Sequence, residues 1–214
     1  MYSKSRKALG DKPAETYDCV MKNLPGLYLL LAAGYSRRFG SAKQLHILPS
    51  GHTIISTSIK ALQASECEFI VVIRGDDTAI AAHLNTRNVE TINVTNAQKG
   101  LSSVIAEAIR KLDLNNIEWL GICLGDMPYI KPTTLSELAA HTSTTTIVRP
   151  RYLAQCGHPV LFGRKYFSEL KKLEGDFGAK EIIQAYPAAL NILEVDDAMV
   201  LHDIDEAKDI ISTS

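Results

Sequence analysis

Arg38, Lys43 and Asp126 are the residues of this chain whose types and settings suit polyphosphate chemistry. The first two lie in "LAAGYSRRFGSAKQL", residues 31–45, where Leu31, Ala32, Ala33 and Gly34 close an apolar run. Small side chains there let a ligand approach the backbone, and successive N–H groups in a tight turn form an anion-binding concavity. Arg38 and Lys43 would add charge-assisted hydrogen bonds to phosphate oxygens. Asp126 ends a second apolar run, "WLGICLGD". A carboxylate beside phosphates can hold Mg²⁺, which is usually bound through few carboxylates plus phosphate oxygens.

Two better-known glycine loops are excluded. In GxxxxGK[ST] four residues separate the glycines and lysine follows at once, whereas five separate Gly34 from Gly40 and Lys43 comes three positions later. The dinucleotide pattern GxGxxG is absent.

Other motifs read less sharply from their residues alone. In "NAQKGLSSVIAEAI" Gly100 and Ser102 open a helical pattern, where an anion, a ribose or plain capping would suit the free amides. In "QCGHPVLF" Gly157 permits close approach and His158 offers a switchable donor or acceptor, although a lone histidine is more often structural. Asp176 in "EGDFGAKEII" and Asp205 in "HDIDEAKDI" read first as helix N-caps.

These residues need a scaffold. The chain has 214 residues, 46% of them apolar and 22% charged, with a formal net charge of -1. That composition fits a soluble globular protein with no general attraction to nucleic acid or anionic membrane, so any basic site must be local. The expectation is an N-terminal extension over 1–25, mobile, and a single domain over 26–214. The start of the chain lacks the apolar stretch of a secretory signal, and no transmembrane run follows. Four scattered cysteines without a CxxC pair suit reduced thiols in the cytoplasm.

Apolar runs at Leu27–Ala32, Phe69–Ile73, Val89–Val94, Trp119–Leu124, Thr145–Val148 and Leu190–Val195 predict strands. Helical spacing appears in "TIISTSIKAL", in "LSSVIAEAIRKL" and from "KPTTLSEL", where Pro132 suits a first turn and Thr134 with Glu137 has capping-box spacing. Alternating strands and helices predict an α/β fold, a Rossmann-like three-layer sandwich with a mostly parallel central sheet. Ligands of such sheets sit at the carboxyl ends of strands, which is where Gly34 and Asp126 fall.

Together these motifs resemble the MobA-like NTP transferases over about Leu27 to Ile211, and within them the enzymes that build dinucleotide forms of the molybdenum cofactor. "LAAGYSRRFGSAK" is similar to their LAAGxSxRxGxxK signature, and "GHPV" to a segment of the cytidylyltransferase branch. The resemblance implies a fold of the nucleotide-diphospho-sugar transferase type and an Mg²⁺-dependent transfer of CMP from CTP to the terminal phosphate of molybdenum-molybdopterin, with pyrophosphate leaving. It implies catalytic roles for Arg38, Lys43 and Asp126, and nucleotide contacts at Leu31, Ala32, Ala33, Gly34, Lys43, Gly100 and Ser102. It places the acceptor at Gly157 and His158, and the metal at Asp126 with Asp203 and Asp205. A molybdoenzyme of the xanthine dehydrogenase type would take the product.

The sequence departs from that pattern at Phe39, Lys180 and Glu206-Ala207, where methionine, arginine and Thr-Pro are usual. Met127 in "GDMP" favours the guanylyl branch, whereas Ala33 and "GHPV" favour cytidine. Guanylyl transfer to the same cofactor, nucleotidyl transfer to a sugar or polyol phosphate, and a non-catalytic cofactor carrier remain as alternatives.

Overall fold

A strand covered on both faces must be apolar at nearly every position, and Gly26–Leu31 (β1) meets that demand: its last four residues are all buried. The computed structural model describes residues 24–35, 39 and 42–211. Most of the expected N-terminal extension, and Arg38, lie outside them.

Around β1 the described residues form one sheet. Phe69–Arg74 (β2), Thr91–Val94 (β3) and Trp119–Leu124 (β4) run parallel to it in the order β3-β2-β1-β4. Next come Ile147–Tyr152 (β5), the two-residue Gln155–Cys156 (β6), Val160–Gly163 (β7) and Leu190–Glu194 (β8). β7 lies antiparallel between β4 and β5, and β8 runs parallel along the other side of β5. The mostly parallel Rossmann-like sandwich expected from the sequence is therefore the fold.

The helices cover both faces. Ile54–Ala64 (α1), Thr78–Asn85 (α2) and Pro132–Ala140 (α4) pack on one side, where Ile55, Ile59, Leu62, Ile80, Leu84, Leu135 and Leu138 meet Tyr28, Leu30, Val71 and Ile73. Leu101–Lys111 (α3), Phe167–Leu170 (α5) and Lys180–Ala185 (α6) cover the other, over Leu29, Leu31, Val72 and Ile122. Among the described residues no helix is long and apolar enough to cross a membrane, and Cys67, Cys123 and Cys156 are unbridged.

Three local expectations need correction. Thr134 does not cap α4: Lys131 stands at the N-cap, and the carboxylate of Asp197, from the far end of the chain, accepts from Lys131 N–H at 2.9 Å and from the Thr134 hydroxyl at 2.8 Å. Asp176 caps α3 rather than the helix after it, accepting from Leu101 N–H at 2.8 Å. Glu206, not Asp205, is the N-cap of the short turn Ala207–Asp209, where Glu206 and Asp209 form a reciprocal capping box. In the first two cases the donors of a helix start are met by a carboxylate brought in through tertiary folding.

Candidate active site

The site begins where β1 and β4 end side by side. Gly125 N–H donates to Leu31 O at 2.9 Å. A Cβ on Gly125 would lie 2.7 Å from that carbonyl and 3.1 Å from Gln44 Nε2, so only glycine lets the two strand ends close. Ala32 N–H is spent on Val72 O. Leu31 O and Ala32 N–H are thus committed to the sheet. Ala33 and Gly34 are the first residues of the loop whose N–H groups donate to no described residue, and a Cβ on Gly34 would meet nothing within 4 Å.

Arg74, which the sequence reading passed over, pins that loop. Its guanidinium donates to Gly34 O at 2.8 Å and lies 4.5 Å from the centre of the Tyr35 ring, while Asp76 and Asp77 hold its other nitrogens. The signal was its place at the carboxyl end of β2.

Beyond the loop a 3₁₀ turn, Lys43–Leu45, tucks Lys43 and Gln44 inward, only 7% and 5% exposed. Lys43 Nζ lies 2.8 Å from Asp126 Oδ2 and 3.5 Å from Asp205 Oδ1. The C-terminal strap brings Asp203 and Asp205 here: Ile204 N–H donates to Asp126 O at 2.9 Å, and Ile204 is fully buried against Leu48 and Ile54. One carboxylate oxygen each from Asp126, Asp203 and Asp205 lies within 4.8 Å of the others. Three hard oxygen donors converging at a strand end fit a divalent cation of the Mg²⁺ or Mn²⁺ kind.

The loop after β3 is held from below by Glu107 on α3. Its carboxylate accepts from Thr95 N–H, Asn96 N–H and the Thr95 hydroxyl, and pairs with Lys111 at 2.9 Å. Burial alone would push this carboxyl up; the Lys111 ammonium and the three Thr95 and Asn96 donors together outweigh it and hold it at about 2 instead of 4.5. A folded value below the unfolded one stabilises the protein above pH 4.5, and that gain disappears as pH falls toward 2. Glu107→Gln is expected to cost about 2 to 3 kcal/mol at pH 7 in urea unfolding. The gap to wild type should shrink by pH 3; an equal gap at both pH values would remove the charge from the explanation.

Two predicted nucleotide contacts have structural duties. Ser102 is 1% exposed and its hydroxyl donates to Gly178 O at 3.0 Å. Gly100, at φ +102°, lies so close to Gly175 and Asp176 that a Cβ would come within 2.6 Å of both. Gly157 is likewise required by chain packing, since its Cβ would lie 2.1 Å from Val200 O.

His158 sits differently. It lines a cavity of about 330 Å³ on the α3 side of the sheet, walled by Ile122, Leu124, Phe177 and Ile183 with Arg149 and Lys180. Its Nδ1 is buried without a hydrogen-bond partner among the described residues. Burial, reinforced by the Arg149 guanidinium and opposed by Asp203, lowers its pKa from 6.5 to about 4. The imidazole is therefore neutral at pH 7. Unfolding restores the ordinary value, so the unfolded chain takes up a proton and stability falls as pH drops from 6.5 toward 4. An NMR titration of the imidazole carbon-bound protons should find its midpoint near 4; a midpoint near 6.5 would place the ring in water.

A family profile described as "MobA-like NTP transferase domain" matches residues 28–190. The crystal structure of Rv0371c from Mycobacterium tuberculosis H37Rv is similar with a TM-score of 0.76 and 25% identity, covering 86% of this chain and 95% of that one. The same protein in complex with manganese gives 0.73 and 24%, with the same coverage. A nucleotidyl transferase from Methanothermobacter thermautotroptrophicus shares the fold at a TM-score of 0.74 and 20% identity, over 86% of this chain and 94% of its own. A search of curated proteins gave no match.

Proposed function

This chain belongs to the MobA-like NTP transferase domain family, and from that premise we propose a divalent-metal-dependent cytidylyltransferase that moves CMP from CTP to the terminal phosphate of molybdenum-molybdopterin and releases pyrophosphate. The observation that carries the transferase reading is Lys43 bridging Asp126 and Asp205 at the joined ends of β1 and β4. A protein that only bound nucleotide would not need three converging carboxylates.

In this reading the Ala33 and Gly34 N–H groups meet the phosphates, and Lys43, with Arg38, neutralises them. Asp126, Asp203 and Asp205 would hold Mg²⁺ or Mn²⁺, which when bound spreads the charge of the triphosphate and of the departing pyrophosphate. The acceptor phosphate is already ionised near neutral pH, so the chain needs no strong general base. Its contribution is alignment and charge placement.

The cavity beside β4 suits the acceptor. Phe177, 74% exposed, and Ile122 offer apolar faces, and neutral His158 has an unused ring nitrogen. Such walls favour a flat ring system over a polyol, whose hydroxyls would be left unpaired. Cytidine is favoured by Ala33 and the "GHPV" segment; Met127, buried at 5% exposure, is a core residue here and bears less on base choice.

The test is pyrophosphate release from CTP, GTP, ATP and UTP with molybdenum-loaded molybdopterin, and with inositol or sugar phosphates as alternative acceptors. Release with CTP and the molybdenum cofactor is expected. Release only with GTP moves the protein to the guanylyl branch, and release only with a simple phosphate overturns the acceptor. No release from folded protein leaves the carrier reading.

A further inference from the structure

A second cleft, of about 520 Å³, lies between the outer face of α3, the turn after β3 and the segment that follows α5. None of the residues lining it belongs to the Ala33–Gly34 loop, the carboxylate cluster or the acceptor cavity. Lys99, Arg110 and Lys172 border it, against one acid, Glu174.

No ion pair among the described residues neutralises these cations, although the Lys172 ammonium helps to lower the Glu169 carboxyl. Lys99 and Lys172 form no ion pair among the described residues, and Arg110 meets only a backbone carbonyl, Lys171 O at 2.5 Å, which aims it at this segment. Ser103 is 9% exposed and lines the same cleft, yet its hydroxyl has no hydrogen-bond partner among the described residues. The side-chain amide of Asn96 likewise has no hydrogen-bond partner among the described residues. The Ser103 hydroxyl is open to the water of the cleft and free to donate to a ligand. It shares the lining of that cleft with three cations.

We propose that this cleft is a second binding site, for a phosphorylated small molecule carrying at least two negative charges. Lys99, Arg110 and Lys172 surround the anion, and Ser103 and Asn96 donate to its oxygens. The site is coupled to the acceptor cavity through one segment. Leu173, Glu174 and Gly175 line the cleft, while Phe177, Gly178 and Lys180 line the cavity. Asp176 between them is bonded to Leu101 N–H at the start of α3. An anion clamped at Lys172 therefore acts on the wall that Phe177 and Lys180 present to the acceptor.

The experiment reads binding, not transfer, so its result stands whatever the enzyme's substrates are. Sodium pyrophosphate and, separately, glycerol 3-phosphate are titrated into the ¹⁵N-labelled full chain at low salt with EDTA. The proposal expects saturable shifts of the Asn96, Lys99, Glu174 and Gly175 amides, and the tighter of the two ligands tells inorganic from organic phosphate. Lys99→Gln with Lys172→Gln should weaken that binding at least tenfold while the Ala33 and Gly34 amides respond as in wild type. Ser103→Ala, which removes no charge, should weaken it severalfold. Shifts that are absent, that grow linearly without saturation, or that survive both variants unchanged would overturn the site.

Discussion

Asp126→Asn should lower metal-dependent turnover about a thousandfold or more while the protein melts close to wild type. The two halves of this expectation come from different atoms. Stability rests on the backbone of residue 126, whose carbonyl accepts from Ile204 N–H at 2.9 Å and holds the C-terminal strap against the sheet. Asparagine keeps that bond and the side chain's shape. The lost ion pair to Lys43 involves a side chain 24% exposed, and a partly solvated pair of this kind contributes about 1 kcal/mol. Catalysis rests on the carboxylate charge, which at a site of three converging oxygens sets both metal affinity and the charge balance with Lys43. Differential scanning fluorimetry with and without Mn²⁺ separates the halves: wild type should melt higher with the ion, and the variant should lose that rise. Full activity, or an unchanged rise with Mn²⁺, would remove Asp126 from the metal site.

The parts of this site carried by apolar runs were legible in the sequence. β4 begins and ends where its run does, β1 is displaced by one residue, and α3 ends one residue early. Each is covered by the core along its length, so periodicity and burial agree. β7 was not legible as a strand. "VLFG" has four residues, follows the motif histidine and proline, and is buried throughout, leaving no alternation to read. α2 escaped because only Ile80 and Leu84 are buried, one turn of apolar signal in eight residues.

The polar contacts were the least legible, for one physical reason. Glu107, Asp176 and Asp197 each satisfy backbone donors of another segment, 11 or 12 residues away for Glu107, 75 for Asp176 and 66 for Asp197. Local rules assign such carboxylates to the nearest helix start, as they did for Asp176. The same holds for Gly157 and Gly100. Close approach was the reading of Gly157, and the approaching group is Val200 of this chain; Gly100, read as the opening of a helix, is crowded by Gly175 and Asp176. Lys43, Asp126, Asp203 and Asp205 were each marked separately, by a strand end or a motif, and the fold brings them together.

Lys43→Met should separate binding from chemistry at that cluster. Methionine keeps most of the apolar stem that fills the space under the β1 loop, so the variant removes the ammonium with little change in packing. Lys43 balances Asp126 at 2.8 Å and Asp205 at 3.5 Å. Without it three carboxylates face one another with less compensation, and a divalent cation gains by entering. Mn²⁺ should therefore bind the variant as tightly as wild type or more so, with an equal or larger rise in melting temperature. Turnover should nonetheless fall about 10²- to 10³-fold at saturating metal, the loss typical of removing one preorganised charge or donor from a developing oxyanion. Most of the loss should lie in kcat rather than KM, because a charge needed most as pyrophosphate departs acts on the transition state. Weaker Mn²⁺ binding would make Lys43 a support for the metal cluster. Unchanged turnover would leave it a partly solvated ion pair without a part in the reaction.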